Sequence, residues 1–345
     1  MSTPTQARKG ARVLWGLLAL AVACSGLGGY RFYQHTVAIE EGEKRADLAA
    51  VAELKVGQIV AWRAERLRDA RLFSSGPSGR AILGWLANPG DRDLAASVQT
   101  LWRDVAAHSA YSDIAVCTPS GRPVFRLARD RPEIEEQARR LMARAAASRD
   151  AAVGELFRCA DTKHVHLDFA APVLDASGEA KAILLLRSAP ERALYPLIER
   201  WPMQSATAET LLIRREGDYV LFLNRPRHGR GPALTERIPL TRTDVPAVQA
   251  ALGRTGVTVG TDYRGRRTVA HLSRVPGSPW LMVAKVDRAE IYANARLRGS
   301  LVLGLFGAVI VSLFTLAALL MSLRQRGHSM AATRSPRHRT EGVGR

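Results

Sequence analysis

The chain has 345 residues, 47% of them hydrophobic, and a formal net charge of +18. That apolar content excludes a disordered protein, and the length leaves room for two or three domains at roughly 150 residues each. Six of the 50 basic residues are Lys, and the Arg are spread along the whole chain with no dense basic block interleaved with aromatics. The charge is therefore read as an Arg-biased composition, and nucleic acid is not an expected partner.

Three cysteines, Cys24, Cys117 and Cys159, lack CxxC or Cys/His ligand spacing, so no structural zinc is expected. Cys117 and Cys159 are read as isolated core thiols, with a disulfide between them as the alternative in an oxidising compartment.

The first element is an uncharged run, Val13–Tyr30, behind Arg8, Lys9 and Arg12. It reads as an uncleaved signal anchor. A cleavable signal after Ala21-Val22-Ala23 and a lipoprotein signal acylated at Cys24 are the alternatives, and all three export the residues C-terminal to the run. A second uncharged run, Gly299–Leu323, exceeds the roughly 20 residues needed to span a bilayer core. Residues 1–12 and 324–345 are then expected inside, the latter as a basic disordered tail, and residues 31–298 outside a bacterial inner membrane.

After the first run, residues 31–74 read as a long stalk helix. Leu48, Val51, Ala52, Ile59, Trp62, Ala70 and Phe73 share one helical face, interrupted by Lys55 and Arg66. Turn residues Ser74–Gly79 break it. Helices are predicted over Arg80–Ala87 and Asp91–Ser109, the second capped by Asp91.

Next come two similar passages. Ser112–Ala128 predicts a hairpin, Pro132–Ala147 a helix, and Val153–Cys159, His164–Leu174 and Ala180–Arg187 three strands. Then Thr210–Asn224 predicts a hairpin and Pro246–Leu252 a helix, with strands over Val257–Tyr263, Thr268–Val275 and Trp280–Val286. Both end alike, in Pro190–Tyr195 and Asp287–Tyr292. A period of this length points to a duplicated domain. The expected modules are 75–201 and 202–298, divided near Trp201-Pro202.

The helix AELKVGQIVAWRAERLRDAR (Ala52–Arg71), the hairpins at Ser120-Gly121 and Glu216-Gly217-Asp218, and GTDYRGRRTVAHLSRVPGSPWLMVAKVDRAEIY (Gly260–Tyr292) resemble the double Cache family of bacterial extracytoplasmic sensors. The last stretch is similar to the sensor regions of histidine kinases and diguanylate cyclases. The resemblance implies an α+β fold: a long N-terminal helix carrying two PAS-like antiparallel five-stranded modules, here flanked by two transmembrane helices. It also implies that a small ligand binds the membrane-distal module. Family members normally continue into an output domain after the second transmembrane helix, and here only Arg324–Arg345 remain.

No Gly-x-Ser-x-Gly, Walker A or HExxH motif occurs. The nearest constellation is Lys163-His164-Val165-His166-Leu167-Asp168, where strand alternation puts His164, His166 and Asp168 on one face. They offer a metal or anion site, or simply the solvated face of a strand with Val165, Leu167 and Phe169 inward. Arg126 and Arg187 offer guanidinium forks for a carboxylate. Arg126, His166, Asp168 and Arg187 are thus the candidate ligand-binding residues, in a pocket between the sheet and the Pro132–Ala147 region. Trp102, Tyr111 and Phe125 are candidate walls or core.

The expected function is a membrane-anchored small-molecule sensor with no enzyme activity, cofactor or output domain of its own. Its expected partners are a ligand of open class, membrane lipid, a second copy of the chain, and a separate membrane kinase, cyclase or chemotaxis protein. The alternatives are the truncated sensory half of a histidine kinase or diguanylate cyclase, and an anchored periplasmic enzyme.

Overall fold

The computed structural model describes residues 4–109, 111–128, 134–160, 162–229 and 231–332. The expected stalk is the C-terminal part of one helix, α1 (Pro4–Ser74). Its predicted stripe is its buried face: Leu48, Val51, Ala52, Ile59, Trp62 and Ala70 are all buried. The cations that interrupt the stripe are anchors. Lys55 Nζ donates to the carbonyls of Leu197 (2.5 Å) and Arg200 (2.6 Å) at the C-terminal end of α5 (Leu194–Glu199). Those carbonyls have no intrahelical partner, and the end of a helix dipole favours a cation. Arg66 lies over the Tyr111 ring at 5.3 Å and pairs with Asp69 at 3.2 Å. Arg63 donates to the carbonyls of Pro276 (3.5 Å) and Gly277 (2.9 Å) and covers the Trp280 ring at 4.9 Å.

The break expected over Ser74–Gly79 narrows to Ser75, because α2 (Gly76–Ala87) starts at once, with Pro77 in its first turn. Proline is tolerated there because the N–H it lacks would have no partner anyway. Asp91 caps α3 (Arg92–Ala107), accepting from the backbone N–H of Asp93 and Leu94 at 3.1 and 3.0 Å.

The first sheet contains β1 (Tyr111–Cys117), β2 (Pro123–Arg126), β3 (Ala152–Val153), β4 (Phe157–Arg158), β5 (Val165–Leu174) and β6 (Ala180–Ser188). Its order is β2-β1-β6-β5-β3, with β4 also on β5, and every pair is antiparallel. The second sheet contains β7 (Glu209–Glu216), β8 (Tyr219–Phe222), β9 (Arg237–Pro239), β10 (Gly256–Thr261), β11 (Arg267–Arg274) and β12 (Trp280–Asp287), in the order β10-β11-β12-β7-β8-β9. Read from its other edge, β8-β7-β12-β11-β10 repeats the first order strand for strand, as the duplicated sequence pattern predicts. Each sheet has six strands where five were expected. In the first, the strand predicted over Val153–Cys159 is interrupted at 154–156 and pairs as two short pieces. In the second, the Arg- and Pro-rich loop adds β9 as an edge beside β8.

A short helix packs on one face of each sheet. From α4 (Glu136–Ser148), Ala138, Leu141, Met142 and Ala145 pack with Ala115, Cys117, Ala170, Ile183 and Leu185. From α6 (Pro246–Ala251), Ala247, Val248 and Ala250 pack with Leu211, Ile213, Ala270, Leu272 and Val283. Each fully buried Leu, Ile, Val or Met stabilises the fold by about 1.5–3 kcal/mol. Helix α4 starts at Glu136, not at Pro132, which lies outside the described residues.

Both sheets lie in one compact body, Lys44–Glu290. Within it, Glu155 accepts from Trp280 Nε1 at 2.9 Å and from Arg214 at 3.5 Å, and Arg214 also donates to the Leu156 carbonyl at 3.1 Å. The stretch holding Trp201-Pro202 connects α5 to β7.

The residues up to Glu43 and those from Ile291 onward form a second body. There the start of α1 runs antiparallel to α7 (Arg288–Ala332). Trp15 meets Phe314 (5.9 Å between ring centroids), Tyr292 Oη donates to Glu41 at 2.9 Å, and Arg298 pairs with Glu40 at 2.6 Å. Among the described residues, one segment is long and apolar enough to cross a membrane: Arg288–Leu320, with mean hydropathy 2.5. The helix continues to Ala332, past Arg324 where a disordered tail was expected to begin, and residues 333–345 lie outside the described residues.

Candidate functional site

The strand register of the first sheet, that of the module expected to be membrane-distal, stacks side chains into rows across one face. Arg126, Ala115, Leu185 and Ala170 form one row; Asp113, Arg187 and Asp168 form the next. The apolar part of this face lies under α4. The charged row lies towards the start of α4, where Glu135, its extended N-cap residue, adds a carboxylate.

Arg187 is the centre, 1% exposed. Its Nε and Nη2 each donate to Asp168 at 2.9 Å, while Nη1 and Nη2 donate to Glu135 at 2.9 and 2.7 Å. Beside it, Arg126 Nε donates to Asp113 Oδ2 at 2.7 Å, and Asp113 Oδ1 accepts from the Ala128 N–H at 3.1 Å. The Phe157 ring lies 5.5 Å from the Arg187 guanidinium carbon and 5.8 Å from the His166 ring. Two guanidinium groups thus share three carboxylates, and an aromatic ring lies against the central one. The arrangement is a charge-paired cluster without a nucleophile–base pair among these residues. Among the described residues, no group of three or more His, Cys, Asp or Glu is placed to hold a metal.

The four candidate residues therefore converge. Arg187 touches Asp168 directly, Arg126 pairs with Asp113, which lies opposite Arg187 on the neighbouring strand, and His166 lies two residues from Asp168 on the same strand. The expected trio His164, His166 and Asp168 is corrected: His164 precedes β5 and is exposed, whereas His166 and Asp168 are buried. The solvated-face reading is corrected too, since Val165–Val173 is buried on both faces, between α4 on one side and Trp62 of α1, edge-on to Phe169, on the other. Trp102 is core, against Phe73; Tyr111 donates to Asp69 at 2.8 Å; Phe125 meets Trp85. Cys117 and Cys159 are both buried and free, and burial pushes the Cys117 thiol up to about 12, which leaves it unreactive. Asp113 and Glu135 were missed. Alternation on the first hairpin strand puts Asp113 on the same face as Ala115 and was the available signal; Glu135 has none, because its partner is 52 residues away.

Burial opposes the Arg187 charge, but Asp168 and Glu135 outweigh it and hold the guanidinium above its ordinary range. Burial likewise pushes Glu135 up, yet its hydrogen bonds and ion pair with Arg187 bring it down to about 2. A folded value below the unfolded one of about 4.3 supplies stability that is full above that pH and lost as pH falls towards 2. In urea unfolding, Glu135→Gln is expected to be less stable than wild type near neutrality, with the gap closing between about pH 4.5 and pH 2.5. A gap that stayed constant across that window would uncouple the Glu135 charge from folding.

No protein-family model and no curated protein matches the sequence. Solved structures do. The sensory domain of the Campylobacter jejuni chemoreceptor Tlp3 is 10% identical with a TM-score of 0.54, over 75% of this chain and 99% of that one. The extracellular domain of the histidine kinase vpHK1S-Z8 is 13% identical with a TM-score of 0.54, over 74% and 96%. The ligand-binding domain of the Pseudomonas aeruginosa PAO1 amino acid chemoreceptor PctC, in complex with GABA, is 16% identical with a TM-score of 0.50, over 71% and 100%. This chain shares the fold of these sensory and extracellular domains. At these identities the likeness is one of architecture and carries no site residue over to this chain.

Proposed function

We propose that this chain is a membrane-anchored sensor whose distal sheet binds a small carboxylate, amino acids included. The observation that carries the reading is the occupancy of Arg187. Its inner edge is fixed by Asp168 on the neighbouring strand, and its outer edge is held by Glu135, whose side chain is 22% exposed and is the outermost member of the cluster. A planar guanidinium recognises any carboxylate in that bidentate geometry, so an incoming ligand can replace Glu135 at the outer edge. Asp113 and Asp168 then lie close enough to favour a ligand that also carries an ammonium. Arg126 and His166 complete the site.

The sensor body lies outside a bacterial inner membrane. The apolar segment of α7 spans it, with the start of α1 as the second span, a placement supported by the antiparallel contacts of the two helices. Output passes to a second copy of the chain or to a membrane kinase, cyclase or chemotaxis partner. The test is a thermal-shift screen of the full-length protein in dodecyl maltoside against amino acids, small carboxylates and amines. Carboxylates are expected to raise the midpoint of the wild type by mass action, and Arg187→Gln is expected to lose the response. Binding of amines alone, or a carboxylate response untouched by Arg187→Gln, would sink this assignment.

A further inference from the structure

A second charged feature lies apart from the Arg187 row. A groove of about 300 Å³ runs between the corner where α1 gives way to α2 and the corner where α4 gives way to β3. Three arginines from three elements line it: Arg71 from α1, Arg80 from α2 and Arg149 from the C-cap of α4. One acid lines it, Asp150, which holds Arg71 by hydrogen bonds of 2.7 and 2.9 Å that join the two walls. Among the described residues, Arg80 and Arg149 have no ion pair, and both are exposed.

The backbone at Arg149 is a second, independent feature. It adopts φ 53°, ψ 28°, the left-handed conformation that a helix C-cap normally assigns to Gly or Asn. A long side chain is strained in that conformation, and here it directs a cation to the groove. Close packing fixes the opposite wall: a Cβ on Gly79 would lie 2.5 Å from the Ser74 carbonyl oxygen, so the α1–α2 corner has little freedom. The groove therefore has a formal excess of two positive charges, rigid walls and a volume suited to a small molecule.

We propose that this groove is a second ligand site, for a small phosphate-type oxyanion. Guanidinium groups bind tetrahedral oxyanions through paired N–H donors, and several forks lining one groove favour phosphate over a single-charged halide. Arg80 and Arg149 supply the unpaired donors, and Arg71, steadied by Asp150, supplies the third. The oxyanion arrives free or as the monoester group of a larger solute.

The test uses the full-length protein in dodecyl maltoside, which contributes no phosphate, and follows the thermal midpoint with inorganic phosphate, with glycerol phosphate, and with sodium chloride at matched ionic strength. Saturable stabilisation by phosphate beyond the chloride control is expected, and an equal response to glycerol phosphate identifies the monoester as sufficient. Arg149→Gly separates a binding role from a structural one. Without phosphate it should melt at or above wild type, because Gly relieves the left-handed strain. Its phosphate affinity, alone or with Arg80→Ala, should fall about tenfold or more, the loss of one or two charge-assisted contacts. No saturable response in the wild type, or an unchanged phosphate affinity in Arg80→Ala/Arg149→Gly, overturns the proposal.

Discussion

Replacing Arg187 by Ala is expected to destabilise the protein by about 3–5 kcal/mol, the cost of breaking a buried ion pair from one side. Asp168 would be left 1% exposed without its counter-charge, with Glu135 and Asp113 close by. Total folding stability is commonly only about 5–15 kcal/mol, so this one change removes a large share of it. The informative control is Arg187→Met/Asp168→Leu, which removes both charges and keeps the volume. It should recover much of the loss, because a buried ion pair contributes little beyond an apolar pair of similar size. Urea unfolding monitored by circular dichroism measures both. A loss below about 1 kcal/mol for Arg187→Ala, the range of exposed pairs, would mean that the cluster is wet.

The second sheet holds a buried cation of the same kind. Lys285 is 1% exposed, and its Nζ lies 2.9 Å from Glu209 Oε2, 2.8 Å from Asp262 Oδ2 and 4.9 Å from the Tyr263 ring centroid. Lys285→Ala removes the cation that bridges Glu209 and Asp262, leaves Glu209 buried without a counter-charge among the described residues, and is expected to cost about 3–5 kcal/mol. Arg264 also pairs with Asp262, at 2.6 Å, but is 17% exposed and should cost clearly less as Arg264→Ala. Neither change should alter the affinity of a distal-site carboxylate. Thermal unfolding combined with ligand titration separates the two sheets, and a distal affinity that fell with Lys285→Ala would join them energetically.

The fold was legible wherever a periodic pattern extended over many residues. The stripe from Leu48 to Phe73, the two hairpins and the long strands of both sheets all come from apolar spacing. The elements that escaped depend on pairing rather than pattern. The pieces β3 and β4 have two residues each, and β9 has three; none carries a local signal, and each exists because a neighbouring strand offers its edge. The faces of β5 were misassigned because alternation distinguishes wet from dry only when one side meets water. Both sides of β5 are covered, and Asp168 is satisfied by Arg187 on the next strand instead of by water. Arg187 and Asp168 were recognisable as chemistry from their residue types, but Glu135, which decides whether the fork is open or filled, lies far off in sequence.

The hold of Lys55 on α5 has a consequence for how the body can respond. Helix α5 begins a few residues after Arg187, and Lys55 clasps its far end through Leu197 and Arg200. Under the proposed function, a molecule that changes the set of β6 at Arg187 would pull on a short tether whose other end is fastened to α1. Farther along the same helix, Arg63 grips the turn at Pro276 and Gly277 in the second sheet. Both fastenings lie on α1, so under the proposed function a strain arising in the first sheet would be shared with the second. Were the proposed site filled, the arrival of the ligand would be felt as tension along α1.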